Sequence, residues 1–291
     1  MSAIFEPGFF SDATVQTAAL VGCVVAIVTA WVGVFTIIRS QSFAGEALGD
    51  LGATGGSAAF LVGVSALWGF VAVALAGAVG IELLGRRHKS GRDLATGIVL
   101  GAGLGLAALF LYLDTTSSST TGVSVTVLFG SLFAIDRSLL TPATLLGLVA
   151  LALVAGSHRR LLLSAVSPEL AAARGVRVRA VGAVYLAALA LAVALAAVTI
   201  GAVLSTALLI GPPATAIRIT KRPVAAITVA ALLGVLATLL GILLAYDSYY
   251  WPPVDHGWPV SFLIVALIFS FYLLTFLPLP RRRKAPACSR P

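Results

Sequence analysis

Charge is scarce in this chain: 10% of its 291 residues are Asp, Glu, Lys or Arg, against 59% hydrophobic. No water-soluble globular domain of this length carries that balance. Cysteine is nearly absent, with two in all. Cys23 lies in an apolar run and Cys288 in a basic tail, so neither a disulfide framework nor a thiolate metal site is expected. Histidine is limited to His88, His158 and His256. The first two fall in basic loops and read as solvated; His256 follows Asp255 in a loop where it could meet an entering cation. No Gly-rich phosphate loop and no Ser-His-Asp set is assembled by local sequence, so no ATPase is expected within the chain. The first ten residues, MSAIFEPGFF, hold Glu6 and no positive charge. They lack the basic region of a cleavable signal, and the first apolar run is expected to stay.

What is present is apolar length. Runs of about 17 to 25 residues match the helix that spans a hydrocarbon core of roughly 30 Å, and they lack the period-two alternation of outer-membrane strands. An all-α, polytopic helical membrane protein is expected. Spans fall at about 14–38, 43–58, 59–84, 94–113, 139–158, 177–198, 201–217, 222–246 and 259–279. The stretch GVSVTVLFGSLFAID, 122–136, is too short to cross and reads as a re-entrant or half-length helix. With the N-terminus outside and nine crossings, 18 of the 19 Lys and Arg residues collect on the cytoplasmic side, and Arg137 alone falls outside. Counting 122–136 as a crossing breaks that pattern. The C-terminus is therefore expected in the cytoplasm, residues 1–280 forming one membrane domain and 281–291 a basic tail.

The formal charge of +8 thus reflects orientation and contact with anionic headgroups in the bilayer. Nucleic acid is not expected as a partner, because the basic residues are spread over short loops without interleaved aromatics. The loop YDSYYWPPVDHGWP, 246–259, carries the Trp and Tyr of an interfacial belt.

Three constellations stand out. In SFAGEALGD, 42–50, Glu46 and Asp50 are four residues apart and so share a helix face, with no basic residue within a turn or two downstream. A membrane-buried ionisable pair points to a functional site, unless the span begins later and leaves Glu46 at the interface. Glu82, by contrast, precedes Arg86 by one turn and reads as a local pair. Pro212 and Pro213 in LLIGPPATA are expected to break a helix where the freed carbonyls face protein or a cavity, with a path for a polar solute nearby. Gly101 and Gly105 read as close-packing positions. Third, SAVSPELAAARGVRV, 164–178, has the form of a short capped helix: Ser167 as cap, Pro168 first, Glu169 in the first turn, Gly175 as stop. Such a helix could lie on headgroups or dock a cytoplasmic partner.

These stretches together resemble the membrane subunits of ABC importers for divalent transition metals, the zinc and manganese permease family. GEALGD is similar to that family's Gly-Asp-Ala-x-x-His segment, SPELAAARGV to its coupling-helix loop, and GAVLSTALLIGPPATAIRI, 201–219, to its Gly-Ala-x-Leu-x-x-Ala-Leu-Leu-x-x-Pro signature. VLFGSLFAI matches in place and character. The resemblance implies a non-enzymatic permease that moves metal into the cytoplasm across the plasma membrane. Its implied partners are a second permease copy, a separate ATP-hydrolysing subunit docked at 164–176 through Ser167, Pro168, Glu169 and Gly175, and an extracytoplasmic solute-binding protein. It places Glu46 and Asp50 on the metal path, with no cofactor beyond the transported ion and the partner's ATP. One departure matters: Asp50 stands where the family has His. Two hard carboxylates favour manganese, then ferrous iron, although carboxylates also ligate zinc. An ion-coupled secondary transporter using Glu46 and Asp50 as a relay is the alternative, and a membrane scaffold without transport is a third reading.

Overall fold

The computed structural model describes residues 12–85, 91–117, 122–130, 132–248 and 257–276. Glu6, the cluster of Arg86, Arg87, His88 and Lys89, the loop residue His256 and the tail 281–291 lie outside the described residues. Eleven α-helices and no strand occur among the described residues: α1 Ala13–Ile38, α2 Ser42–Val62, α3 Ala66–Leu84, α4 Gly91–Ser117, α5 Gly122–Phe129, α6 Leu140–Val166, α7 Pro168–Ala173, α8 Val178–Ile200, α9 Ala202–Ile219, α10 Pro223–Ser248 and α11 Val260–Leu274. An apolar medium offers backbone groups no water, which makes continuous helix the stable local solution for these runs. The same pressure acts on hydroxyls: Thr29, Thr36, Ser57, Thr199 and Thr238 each bond a carbonyl three or four residues back in their own helix.

The expected spans overlap nine helices, but α2 runs on to Val62, so the boundary expected at 58/59 lies at 63–65, and α11 is shorter than the span expected at 259–279. Seven helical segments among the described residues are long and apolar enough to cross a membrane; α2, rich in glycine and carrying two acids, and α11, with 15 residues, do not meet that measure. At eight residues, α5 reaches about 12 Å and cannot cross. Two boundaries move in a way that matters. Helix α6 runs on to Val166, so His158 is a half-buried helical residue with its ring edge-on to Phe35 at 5.2 Å, not a solvated loop histidine. Helix α4 runs to Ser117, past the expected end of its span at 113, and so includes Asp114.

The core lies around α8. Its alanines 188, 190, 192, 194 and 196 have no exposure, and it touches α1, α2, α3, α6 and α9. Small side chains allow that many neighbours at short range. Helices α4 and α6 show most of their apolar surface outward, including Leu104, Leu109, Leu145 and Leu148, as lipid-facing helices do. Helix α2 is clasped to α3 by backbone approach: a Cβ on Gly55 would lie 2.0 Å from the Gly69 carbonyl oxygen, and one on Gly69 would lie 2.1 Å from that of Gly55. Gly103 packs tightly on Leu51, and Thr54 donates to the Gly103 carbonyl at 2.8 Å. Gly101 and Gly105 meet nothing within 4 Å, so the close-packing role expected of them belongs to the glycine between them.

Helix α9 is not broken at its prolines. It is continuous through Pro212 and Pro213, because two missing N–H groups free only the carbonyls of Leu208 and Leu209. The Leu209 oxygen turns toward α1 at Gly33, where a Cβ would come within 1.9 Å of it. Cα–H···O contact with a glycine there replaces part of the lost bond. The junction between α8 and α9 is also made of glycine. Gly201 (φ 91°) and Gly130 (φ 73°) lie backbone to backbone, and Ser261 Oγ donates to the Phe129 carbonyl at 2.6 Å, which fixes the end of α5 against α9 and α11.

Candidate functional site

Helix α2 begins at Ser42, so Glu46 and Asp50 occupy its first three turns and share one face. Glycines set their position. A Cβ on Gly45 would meet Leu209 Cδ2 at 2.8 Å, and one on Gly49 would meet Ser205 Oγ at 3.1 Å and Val193 Cγ1 at 3.3 Å. These contacts press α2 into the angle between α8 and α9. The two carboxylates, adjacent to that glycine face, remain half-buried.

Glu46 lines a groove of about 470 Å³ whose other walls are α9 (Thr206, Ile210, Ala214) and α11 (Ile268, Tyr272). Among the described residues it is the charged group in that lining; Asp50, one turn along, lies outside it. Gly211, beside the prolines, also lines the groove. No group of three or more His, Cys, Asp or Glu is gathered among the described residues. One copy therefore offers two carboxylates, fewer than the four or more ligands a divalent transition metal takes.

The capped loop is helical as expected. Ser167 Oγ accepts from Leu170 N at 3.2 Å, Pro168 opens α7, and Glu169 is exposed in its first turn. Gly175 at φ 76° donates to the Ala172 carbonyl while Val176 donates to that of Ala171, the paired bonds of a glycine-terminated helix. Behind α7 lies a polar chain that joins three helices. Arg39 Nη1 donates to Ser164 Oγ at 2.8 Å, its guanidinium sits 5.2 Å from the Tyr185 ring centroid, and Tyr185 and Thr36 hydroxyls bond at 2.6 Å. Sequence reading missed this chain, since its members are 125 and 149 positions apart. It also missed Asp114, 1% exposed, whose Oδ2 is buried without a hydrogen-bond partner among the described residues.

The profile of the ABC 3 transport family matches residues 11–277, and the chain belongs to that family. It is 27% identical over 275 residues to the manganese transport system membrane protein MntC of Listeria monocytogenes, covering 94% of this chain and 95% of that one. It is 28% identical over 242 residues to the high-affinity zinc uptake system membrane protein ZnuB of Haemophilus influenzae, covering 81% and 90%. The structure of PsaBC from Streptococcus pneumoniae in complex with Fab superposes with a TM-score of 0.79 at 25% identity, covering 95% of this chain and 96% of that one. A membrane permease of the manganese and zinc ABC type is thereby identified.

Proposed function

We propose that this ABC 3 family member is the permease subunit of an importer that carries a divalent transition metal, manganese first and ferrous iron or zinc next, into the cytoplasm. The observation that carries the reading is a carboxylate, Glu46, facing a groove on a glycine-positioned membrane helix, with Asp50 one turn beyond. A dication passing the pair neutralises charges that are otherwise costly in apolar surroundings. Two copies related by a two-fold axis supply four carboxylates, enough to replace much of a metal's hydration, which supports a homodimer. Chains similar to this one are named for manganese and for zinc. The carboxylate at position 50 weights the choice toward the harder ion.

The rest of the assembly follows the same reading. Residues 1–280 form one domain with nine crossings, α2 and α11 included, and the N-terminus outside. The tail 281–291 and α7 then lie in the cytoplasm, at the plasma membrane. A separate ATP-hydrolysing subunit docks on Ser167, Pro168, Glu169 and Gly175. Its movement reaches the bundle through Ser164, Arg39 and Tyr185. A solute-binding protein delivers metal at the opposite face.

Uptake of manganese, iron and zinc by the complete complex tests the site in Glu46→Gln, Asp50→Asn and Asp50→His. Both amide variants are expected to lose most uptake, and Asp50→His to shift preference toward zinc. Parent-like transport in both amides refutes the site, and a zinc preference in the parent that Asp50→His leaves unchanged refutes the argument from ligand hardness.

A further inference from the structure

The groove that Glu46 lines runs along α9 and α11 toward a cluster of one cation and two aromatic rings. Along α9 its wall runs through Thr206, Ile210 and Ala214, and the next residue on that face, one turn and about 6 Å on, is Arg218. Along α11 the wall runs through Ile268 to Tyr272, with Phe276 following one turn later. The Arg218 guanidinium lies 3.8 Å from the Phe276 ring centroid and 5.4 Å from that of Tyr272, and Nη1 donates to the Tyr272 hydroxyl at 3.5 Å. The two rings stand edge to face at 5.4 Å.

An arginine that only snorkels extends its head toward water and headgroups. Arg218 is exposed but lies over two aromatic faces, where the ring quadrupoles attract a cation. The positive charge stands one turn beyond the end of a groove whose charged lining, among the described residues, is one carboxylate.

We infer that Arg218, clasped by Tyr272 and Phe276, is an electrostatic barrier at the inner end of the metal groove. It lets a dication rest against the carboxylates and opposes its further passage until α9 and α11 separate. The inference rests on the metal-path reading of Glu46 and adds to it a means of preventing leak. Repulsion between a fixed monovalent charge and a divalent ion scales with the product of their charges, so the barrier acts on metal twice as strongly as on sodium or potassium at equal distance. Lysine keeps the sign of the charge and loses only the planar stacking.

The permease, assembled with its ATP-hydrolysing subunit facing the lumen, is reconstituted in liposomes that hold a fluorescent divalent-cation indicator, with its solute-binding protein outside, and manganese(II) entry is followed without nucleotide and with ATP enclosed. Arg218→Gln is expected to raise nucleotide-free entry about tenfold, Arg218→Lys to stay near the parent, and Phe276→Leu, which releases the guanidinium without removing it, to fall between. Parent-like tightness in Arg218→Gln overturns the barrier, and parent-like tightness in Phe276→Leu overturns the role of the aromatic clasp. Equal leak in the Gln and Lys variants overturns the role of charge. No ATP-driven manganese entry in the parent complex overturns the metal-path reading, and the barrier with it; parent uptake with a tight Arg218→Gln overturns the barrier alone.

Discussion

Replacing Gly69 with alanine tests whether the carboxylate pair is held in place from a distance. Gly69 is on α3 and touches neither acid, yet its added Cβ would lie 2.1 Å from the Gly55 carbonyl oxygen and 2.7 Å from Ala59 Cβ. Carbon and carbonyl oxygen settle at about 3.3 Å or more, so α2 and α3 must part by roughly 1 Å. Both obstacles belong to the α2 backbone or to a methyl on it, and no flexible side chain can swing aside. Overpacking of this kind costs about 1–3 kcal/mol. In a chain of this size that corresponds to a fall of roughly 2–5 °C in the unfolding midpoint, read by tryptophan fluorescence in detergent. Gly101→Ala is the control, because its Cβ meets nothing within 4 Å, and its effect should stay within about 0.5 kcal/mol. Adding Gly55→Ala to Gly69→Ala should cost less than the sum of the two, since the first alanine has already opened the gap the second requires. Gly55 is five residues past Asp50, so the displacement also reaches the acids and metal uptake should fall. A Gly69→Ala chain that melts with the Gly101→Ala control refutes the clasp.

Two further outcomes follow from α7 and the chain of contacts behind it. Glu169→Arg, an exposed charge reversal on α7, should leave the protein folded and inserted while abolishing ATP-dependent uptake; retention of both the ATP-hydrolysing partner on co-purification and transport-coupled hydrolysis speaks against docking there. Tyr185→Phe removes a fully buried hydroxyl bonded to Thr36 and spares the ring beneath Arg39. Thr36 keeps its bond to the Val32 carbonyl, so the cost in melting experiments should be about 1 kcal/mol, and a neutral result shows that the hydroxyl pair contributes nothing.

Signals that depend on near neighbours along the chain are legible in the amino-acid sequence itself. The length of each apolar run suffices to locate the helices, because a hydrocarbon medium fixes both their number of residues and their internal hydrogen bonding. Ser167, Pro168, Glu169 and Gly175 announce α7, since a cap acts within four residues of itself. The spacing of Glu46 and Asp50 places both on one face for the same reason. Proline misleads in the other direction: its local rule predicts a break, but α9 is continuous and its freed Leu209 carbonyl meets Gly33, 176 residues earlier in the chain, an approach about which local rules hold no information.

The remaining parts of the site depend on which helices meet. Nothing in the periodicity of α2 pairs Gly55 with Gly69 rather than Gly56, and the pattern GAGLG offers three glycines of which the middle one, Gly103, packs on Leu51. Arg218 stands among basic residues at helix ends and reads as one more positive-inside charge until the fold brings Tyr272 and Phe276 beneath it. The same separation bears on metal choice. Side-chain type at positions 46 and 50 is written in the sequence, whereas the position of α2, which glycine contacts set against α3, α8 and α9, is not. A variant that changes ligand chemistry at Asp50 and one that changes helix spacing at Gly69 should therefore shift selectivity by separate routes, and their combined effect should be close to additive if α2 moves as a rigid body.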